Sequence, residues 1–273
     1  MLLRSLGSGV SGLKNFQTAL DVIGNNISNV STAGFKKGRV NFQDLFSEQT
    51  KGASAIGGNA SSVNAVQVGL GSQASSIDNI VTDGTVNPTG NPYDLAIHGE
   101  GYFLVQDEDG NSYYTRAGDF KLNVNGELVN SQGMHVRVIQ GGQNPNGNID
   151  LTGYTEFSVA ADGTVSAVGP GPNGTGDQNT VQNIGRIAIG TFSNPAGLEK
   201  VGDSLFRETT ASGPANYGTE AQGTIQQGAL EGSNVDLTNE MTGLIEAQRA
   251  YQANARTITT ADQILQELVQ LKR

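Results

Sequence analysis

Two short stretches carry side chains whose types and spacing could do chemistry. Asp107–Asn111 reads DEDGN, a run of oxygen ligands like the opening of a calcium loop. A complete loop needs further oxygens and a distal Glu at fixed spacing; here the strand-like YFLV and SYYT flank the run, so it reads as a hairpin turn. His98–Gly101, HGEG, sets an imidazole beside a carboxylate, the pair that general acid–base work requires. No nucleophile or third orienting group is identifiable with it, and a turn is the simpler reading. The second His, His135, follows some 37 residues later in a strand-like run, which gives a two-His metal site little support. Cysteine is absent, so thiolate ligands, thiol nucleophiles and disulfides are excluded together. The expectation is a protein with no catalytic, cofactor-binding or metal-binding residues, and not an enzyme.

If the chemistry is not in side-chain sites, it must lie in how the elements bury their surfaces. The chain has 273 residues, of which 36% are apolar, 38 are Gly and none is Trp. Typical domains carry about 45–50% apolar residues with Gly included, and Gly supplies turns without buried area, so a loop-rich, elongated protein is expected. Charge is uneven along the chain. Residues 1–51 hold six Lys/Arg against three Asp/Glu, residues 52–233 six against eighteen, and residues 234–273 four against five. An acidic middle repels phosphate backbones and anionic lipid, so neither nucleic acid nor membrane insertion is expected. No apolar run is long enough to cross a bilayer, and Gly and Ser break the opening MLLRSLGSGVSG before a signal-peptide core can form.

Both ends carry apolar residues at helical spacing. Leu3, Leu6, Val10, Leu13, Gln17, Leu20, Gly24 and Ile27 step by threes and fours, with Phe16 and Ile23 beside the two weak positions, Gln17 and Gly24. Gly7, Gly9 and Gly12 each weaken an isolated helix by about 1 kcal/mol relative to Ala, so the segment needs a partner to be helical. At the other end Leu237, Met241, Leu244, Gln248, Tyr251, Ala255, Ile258, Asp262, Leu265 and Val269 step likewise, with Asp236 or Thr238 placed to cap the start. Ile245, Ile264, Leu268 and Leu271 lie off that seam and form a second apolar flank. Between the ends, runs rich in Val, Ile, Tyr and Phe are punctuated by Asp109-Gly110, Asn125-Gly126 and Asp162-Gly163, which predict hairpins. The fold class is therefore α+β. Residues 1–30 and 230–273 form a discontinuous helical core paired as an antiparallel coiled coil, 31–75 a Gly-rich linker or extended arm, and 76–229 an inserted antiparallel all-β domain. Gly169–Asn179, GPGPNGTGDQN, is expected as an exposed loop.

A helix with two apolar flanks needs two partners. If a second copy of the chain supplies one, different surfaces meet, and such contacts close into rings or propagate as helical tubes. The plainer alternative is a hairpin packed on its own chain.

Three stretches carry a resemblance: Leu20–Phe46 (LDVIGNNISNVSTAGFKKGRVNFQDLF), Asn91–Val129 with its NPYDLAIHGEGYFLV and YTRAGDFKLNVNGELV, and Gly228–Val269, the most specific. Together they resemble the hook and distal-rod family of bacterial flagellar axial proteins, in the family's order. The resemblance implies a structural subunit exported through the flagellar type III apparatus without a cleaved signal. It assembles with copies of itself into a helical tube, its helices inside and its β domain outside. It further implies that Phe42 and Phe46 of FQDLF serve as an export signal. The assembly interface would comprise Leu6, Val10, Leu13, Phe16, Leu20, Ile23 and Ile27 with Leu237, Met241, Leu244, Ile245, Gln248, Tyr251, Ile258, Asp262, Leu265 and Leu268. Gln248 and Asp262, polar within the seam, would set register or partner choice.

Within that family SNVDL followed by RAYQANARTI is closer to the hook version. The first reading is thus a short hook subunit, a flexible joint outside the cell that meets distal rod, hook cap and hook–filament junction proteins. The second is a distal rod subunit of the basal body. A reading from another class is a secreted β-rich carbohydrate-binding or hydrolytic domain with helical ends, which needs convergent acids in a concave pocket.

Overall fold

The computed structural model describes residues 2–52, 65–141, 145–170, 181–218 and 223–271, with the side chains of residues 2–5 and 50 excepted. The part of Gly169–Asn179 from residue 171 onward falls outside them. The chain divides into two compact units, one of residues 1–28, 38–78 and 236–273, the other of residues 29–37 and 79–235.

In the helical unit, helix α1 spans Leu2–Ser28 and helix α2 spans Leu237–Leu271. Asp236 starts α2: its Oδ1 accepts the amides of Thr238 at 2.9 Å and Asn239 at 3.3 Å, satisfying donors that a helix start leaves free. The stretch predicted as a linker or extended arm is an arm of paired β structure. Gly38–Asp44 lies beside Ser72–Asn79, and Ser47–Lys51 pairs antiparallel with Val66–Gly69. The amide of Leu45 donates to the Gly71 carbonyl at 2.8 Å and joins the two ladders into one arm. Composition hides this arm because its strands are short, polar and paired across a long gap in sequence. The unit boundary also differs from the sequence-based division: the arm goes with the helices, and residues 29–37 go with the β unit.

The β unit is built on an antiparallel sheet. Its main path runs Glu156–Val159, Thr164–Val168, Val181–Ile187, His135–Ile139, Tyr102–Gln106, Ser112–Thr115, Leu205–Arg207 and Glu199–Gly202. Four of its connections share one geometry, at residues 107–111, 123–127, 130–134 and 160–164. In each the first residue's amide bonds the fifth residue's carbonyl, and the fourth residue's amide bonds the first residue's carbonyl. The fourth residue is Gly at positive φ: Gly110, Gly126, Gly133 and Gly163 lie between +79° and +85°. DEDGN is one of these turns.

Tyr102–Gln106 is buried on both faces, which is why YFLV shows no alternation. Phe103 and Val105 enter a core with Phe120, Val136, Ile187 and Ile225, while Tyr102 and Leu104 join Tyr114, Phe192 and Phe206 on the other side. The outer edge of Glu156–Val159 is covered by one side chain. Gln227 Oε1 accepts the Val159 amide at 3.0 Å, and its Nε2 donates to the Phe157 carbonyl at 3.3 Å.

An ionic cluster lies inside the β unit. Glu231, 1% exposed, accepts from Lys36 Nζ at 2.6 Å, Arg116 Nη1 at 3.2 Å and the Gly84 amide at 2.9 Å. Lys36 also donates to the Thr82 carbonyl and Arg116 to the Gly99 carbonyl. Burial holds Lys36 below the usual lysine range, against the opposing pull of Glu231. The Arg116 guanidinium lies over the Tyr102 ring, 5.3 Å from its centroid.

Candidate assembly interface

The helices of the helical unit run antiparallel in a fixed register: Gly9 faces Ile258, Gly12 faces Asn254, Ile23 faces Gly243 and Asn26 meets Glu240. A Cβ on Gly9 would stand 3.2 Å from Ile258 Cγ1, and one on Gly12 2.9 Å from Asn254 Nδ2. The fully buried residues of α2 are Ala247 and Ala261. Small residues therefore line the seam and let the two helix backbones approach closely, since interaxial distance follows side-chain size.

The large residues expected in this seam are distributed differently. On α1, Leu6, Leu13, Phe16, Leu20, Ile23 and Ile27 are half-buried, and Val10 points to solvent. On α2, Leu244, Ile258 and Leu265 are half-buried, whereas Leu237, Met241, Gln248, Tyr251 and Asp262 are exposed. That corrects the expectation of one continuous seam on α2. The contact line runs through Gly243, Ala247, Asn254, Ile258 and Ala261, so the row of Met241, Gln248 and Asp262 lies beside it along the helix. Ile245, Ile264 and Leu268 are also exposed, by 50%, 46% and 51%, and Leu271 by 83%. α2 thus carries two exposed apolar groups, Leu237, Met241 and Ile245 near its start and Ile264, Leu268 and Leu271 near its end.

α1 has a second neighbour in its own chain, the arm. Asn15 Nδ2 donates to Ser72 Oγ at 2.7 Å. Gly71, at φ +119°, lies so close that a Cβ there would be 2.2 Å from Ser11 Oγ. Asn26, 2% exposed, accepts the Gly38 amide and donates to the Gly38 carbonyl, both at 2.9 Å, and donates to Glu240 Oε2 at 3.1 Å. One amide side chain therefore ties the end of α1 to the start of the arm and the first turn of α2. Apolar periodicity passes over these residues. Their signal is helical spacing of small and polar side chains at Ser8, Ser11, Asn15, Val22 and Asn26.

The arm presents apolar groups outward, Phe46 at 90% exposure and Phe42 at 44%, with Val66, Val68 and Leu70 also exposed. The two histidines lie in different sheets: His98 is opposite Thr224 in a two-stranded pair, and His135 is opposite Gln106 in the main sheet, with its Nδ1 3.4 Å from Glu127. Among the described residues no group of three His, Asp or Glu is arranged to hold a metal, and no helix is long and apolar enough to cross a membrane.

Three family models match the chain. They are "Flagella basal body rod protein" over residues 6–36, "Flagellar hook protein FlgE/F/G D1 domain" over 96–167 and "Flagellar basal body rod FlgEFG protein C-terminal" over 226–271. The flagellar basal-body rod protein FlgG of Bacillus subtilis is 47% identical over 277 aligned residues, with all of both chains covered. Borreliella burgdorferi has two relatives: a rod protein FlgG, 36% identical over 277 aligned residues with all of both chains covered, and a hook protein FlgE, 29% identical over 442 aligned residues covering 99% of this chain and all of that one. A solved hook protein, FlgE2 of Helicobacter pylori, matches at a TM-score of 0.23 and 14% identity over 62% of this chain and 47% of that one.

Proposed function

The chain belongs to the flagellar hook and basal-body rod family, whose members are structural components that build homo-oligomeric axial assemblies, and from that premise we propose that it is a distal rod subunit. One observation carries the choice of rod over hook. Within a single organism, the rod relative aligns with this chain almost residue for residue, while the hook relative needs 442 aligned positions to accommodate it. The hook reading drawn from SNVDL and RAYQANARTI becomes the second reading.

Assembly in this proposal uses the two exposed apolar groups of α2, one near each end. Leu237, Met241, Ile245 and Leu268 retain about half their area in the single chain. Full burial of such a side chain contributes about 1.5–3 kcal/mol, so the remaining half is worth roughly 1 kcal/mol each against a neighbouring copy. Each subunit meets neighbours on both sides, so the gain recurs along the tube and offsets the ordering entropy of association. The exposed arm, with Phe46 and Val68, adds a second surface, and Phe42 and Phe46 act earlier as the export signal. Copies of itself and the export apparatus are partners under either reading; hook cap and hook–filament junction proteins belong to the hook reading.

The test is replacement in Bacillus subtilis. Expressed in a strain lacking its rod protein FlgG, this chain should restore flagella on complete basal bodies, and in a strain lacking its hook protein it should not. Rescue of the second strain and not the first would reverse the assignment.

A further inference from the structure

Residues 223–235 are the last part of the β unit in chain order, and they satisfy groups spread over the whole of it. Ile225 is 4% exposed in the main core. Asn234 accepts the Lys37 amide at 2.8 Å and donates to the Ile80 carbonyl at 2.8 Å. The carbonyl of Glu231 accepts the Gly34 amide at 2.8 Å, and its carboxylate holds Lys36, Arg116 and Gly84. Without this segment, Lys36 and Arg116 would have to enter the interior with one carboxylate in reach, Asp83. That group stands 3.8 Å from Arg116 Nη1 and is 41% exposed. A buried cation without a partner is costly enough that two of them compete with the whole stability of a domain.

We infer that residues 223–235 are a keystone for folding: until Glu231 arrives, the charges of Lys36 and Arg116 hold the β unit open. Chains are synthesised from the N-terminus, and domains ordinarily close as their residues emerge. Here residues 29–37, at the front of the β unit, wait for a carboxylate nearly 200 positions later; Lys36 and Glu231 are separated by 195 residues. The chain therefore stays extended until its β unit is complete, a state suited to passage through a narrow channel. The inference concerns folding order alone and stands whether the chain builds rod or hook.

The experiment uses full-length chains digested with trypsin under native conditions, read at Arg137 and Arg186 within the sheet, sites that every variant retains. Replacing residues 223–235 by a Gly/Ser linker of equal length, or Glu231→Ala alone, should speed cleavage at these bonds on the order of a hundredfold, because cleavage follows the open population. The triple replacement Lys36→Met, Arg116→Met and Glu231→Met, which removes every charge of the cluster, should return resistance to near that of the unaltered chain. Resistance in the linker chain or in Glu231→Ala would overturn the proposal. So would a triple variant as sensitive as Glu231→Ala, since stranded charge would then not be what keeps the unit open.

Discussion

Replacing Gly7 and Gly24 by Ala tests whether α1 is weakened by its own backbone. Neither glycine has another atom within 4 Å of where a Cβ would stand, so the added methyl groups meet nothing and the effect is confined to the chain's conformational freedom. Each exchange should stabilise the helix by about 0.5–1 kcal/mol. The sites lie far apart on α1, so their effects add to about 1–2 kcal/mol, roughly a 5- to 30-fold shift toward helix. Gly9 gives the opposite expectation. Its Cβ would already lie 3.2 Å from Ile258 Cγ1, so Gly9→Leu pushes three more carbons into α2. Overpacking of this kind costs about 1–3 kcal/mol and outweighs the roughly 1 kcal/mol gained in helix propensity. The assay is far-ultraviolet circular dichroism of the full chain through a urea titration. The double Ala variant should lose helix at higher urea than the unaltered chain, and Gly9→Leu at lower urea. A double Ala variant that melts where the unaltered chain does would refute the weakening of α1 by its glycines, and a Gly9→Leu chain that gains helix would refute the small-residue seam.

Met241→Asp or Ile245→Asp should abolish sedimentable polymer and leave helix content intact, whereas Leu244→Asp or Ile258→Asp should lower both, because the first pair faces outward and the second faces α1. Tyr102→Phe removes a hydroxyl that is buried without a hydrogen-bond partner, so at neutral pH it should be neutral or stabilising by about 1 kcal/mol in a urea titration. Burial raises the Tyr102 hydroxyl from 10.0 to about 12. Above pH 10 the unfolded chain loses this proton while the folded chain keeps it, so stability falls by roughly 2–3 kcal/mol as pH rises to about 12, a loss the Phe variant does not suffer. Lys36 is lowered from 10.5 by burial, so between its depressed value and 10.5 the unfolded chain binds more protons and stability rises with pH. Lys36→Met should flatten that rise in urea midpoints taken across the window; Lys200, lowered in the same sense, leaves a remainder.

What the sequence discloses here depends on the distance over which each feature is specified. Asp236 is legible as the start of α2 because capping is decided within three residues. Three of the four shared turns are legible because Asp or Asn precedes the Gly; the turn at Ser131-Gln132-Gly133 lacks that cue although its backbone is the same. The arm is legible as an extended segment but its pairing is not, since Ser47–Lys51 and Val66–Gly69 have little apolar alternation and find each other only across the intervening chain. Nor is the α1–α2 seam: a search for large side chains looks past Gly9, Gly12, Ala247 and Ala261, whose smallness is what brings the helices together. The Lys36, Arg116 and Glu231 cluster escapes for a third reason. Each residue alone looks like an ordinary surface charge, and only the folded topology removes all three from water.

The amide of Gln227 has a consequence for a protein that works as a polymer. Exposed strand borders invite copies to zip together through their backbones, and the result is cross-β fibre. With the Val159 amide and the Phe157 carbonyl already engaged by that side chain, this border offers an approaching chain fewer free groups. The opposite border, Glu199–Gly202, carries Glu199 and Lys200, charges that discourage stacking. In the assembly proposed above, growth uses helices and arm, whose contacts are made of side chains, and Gln227→Ala should expose the chain to amyloid-like association on prolonged incubation.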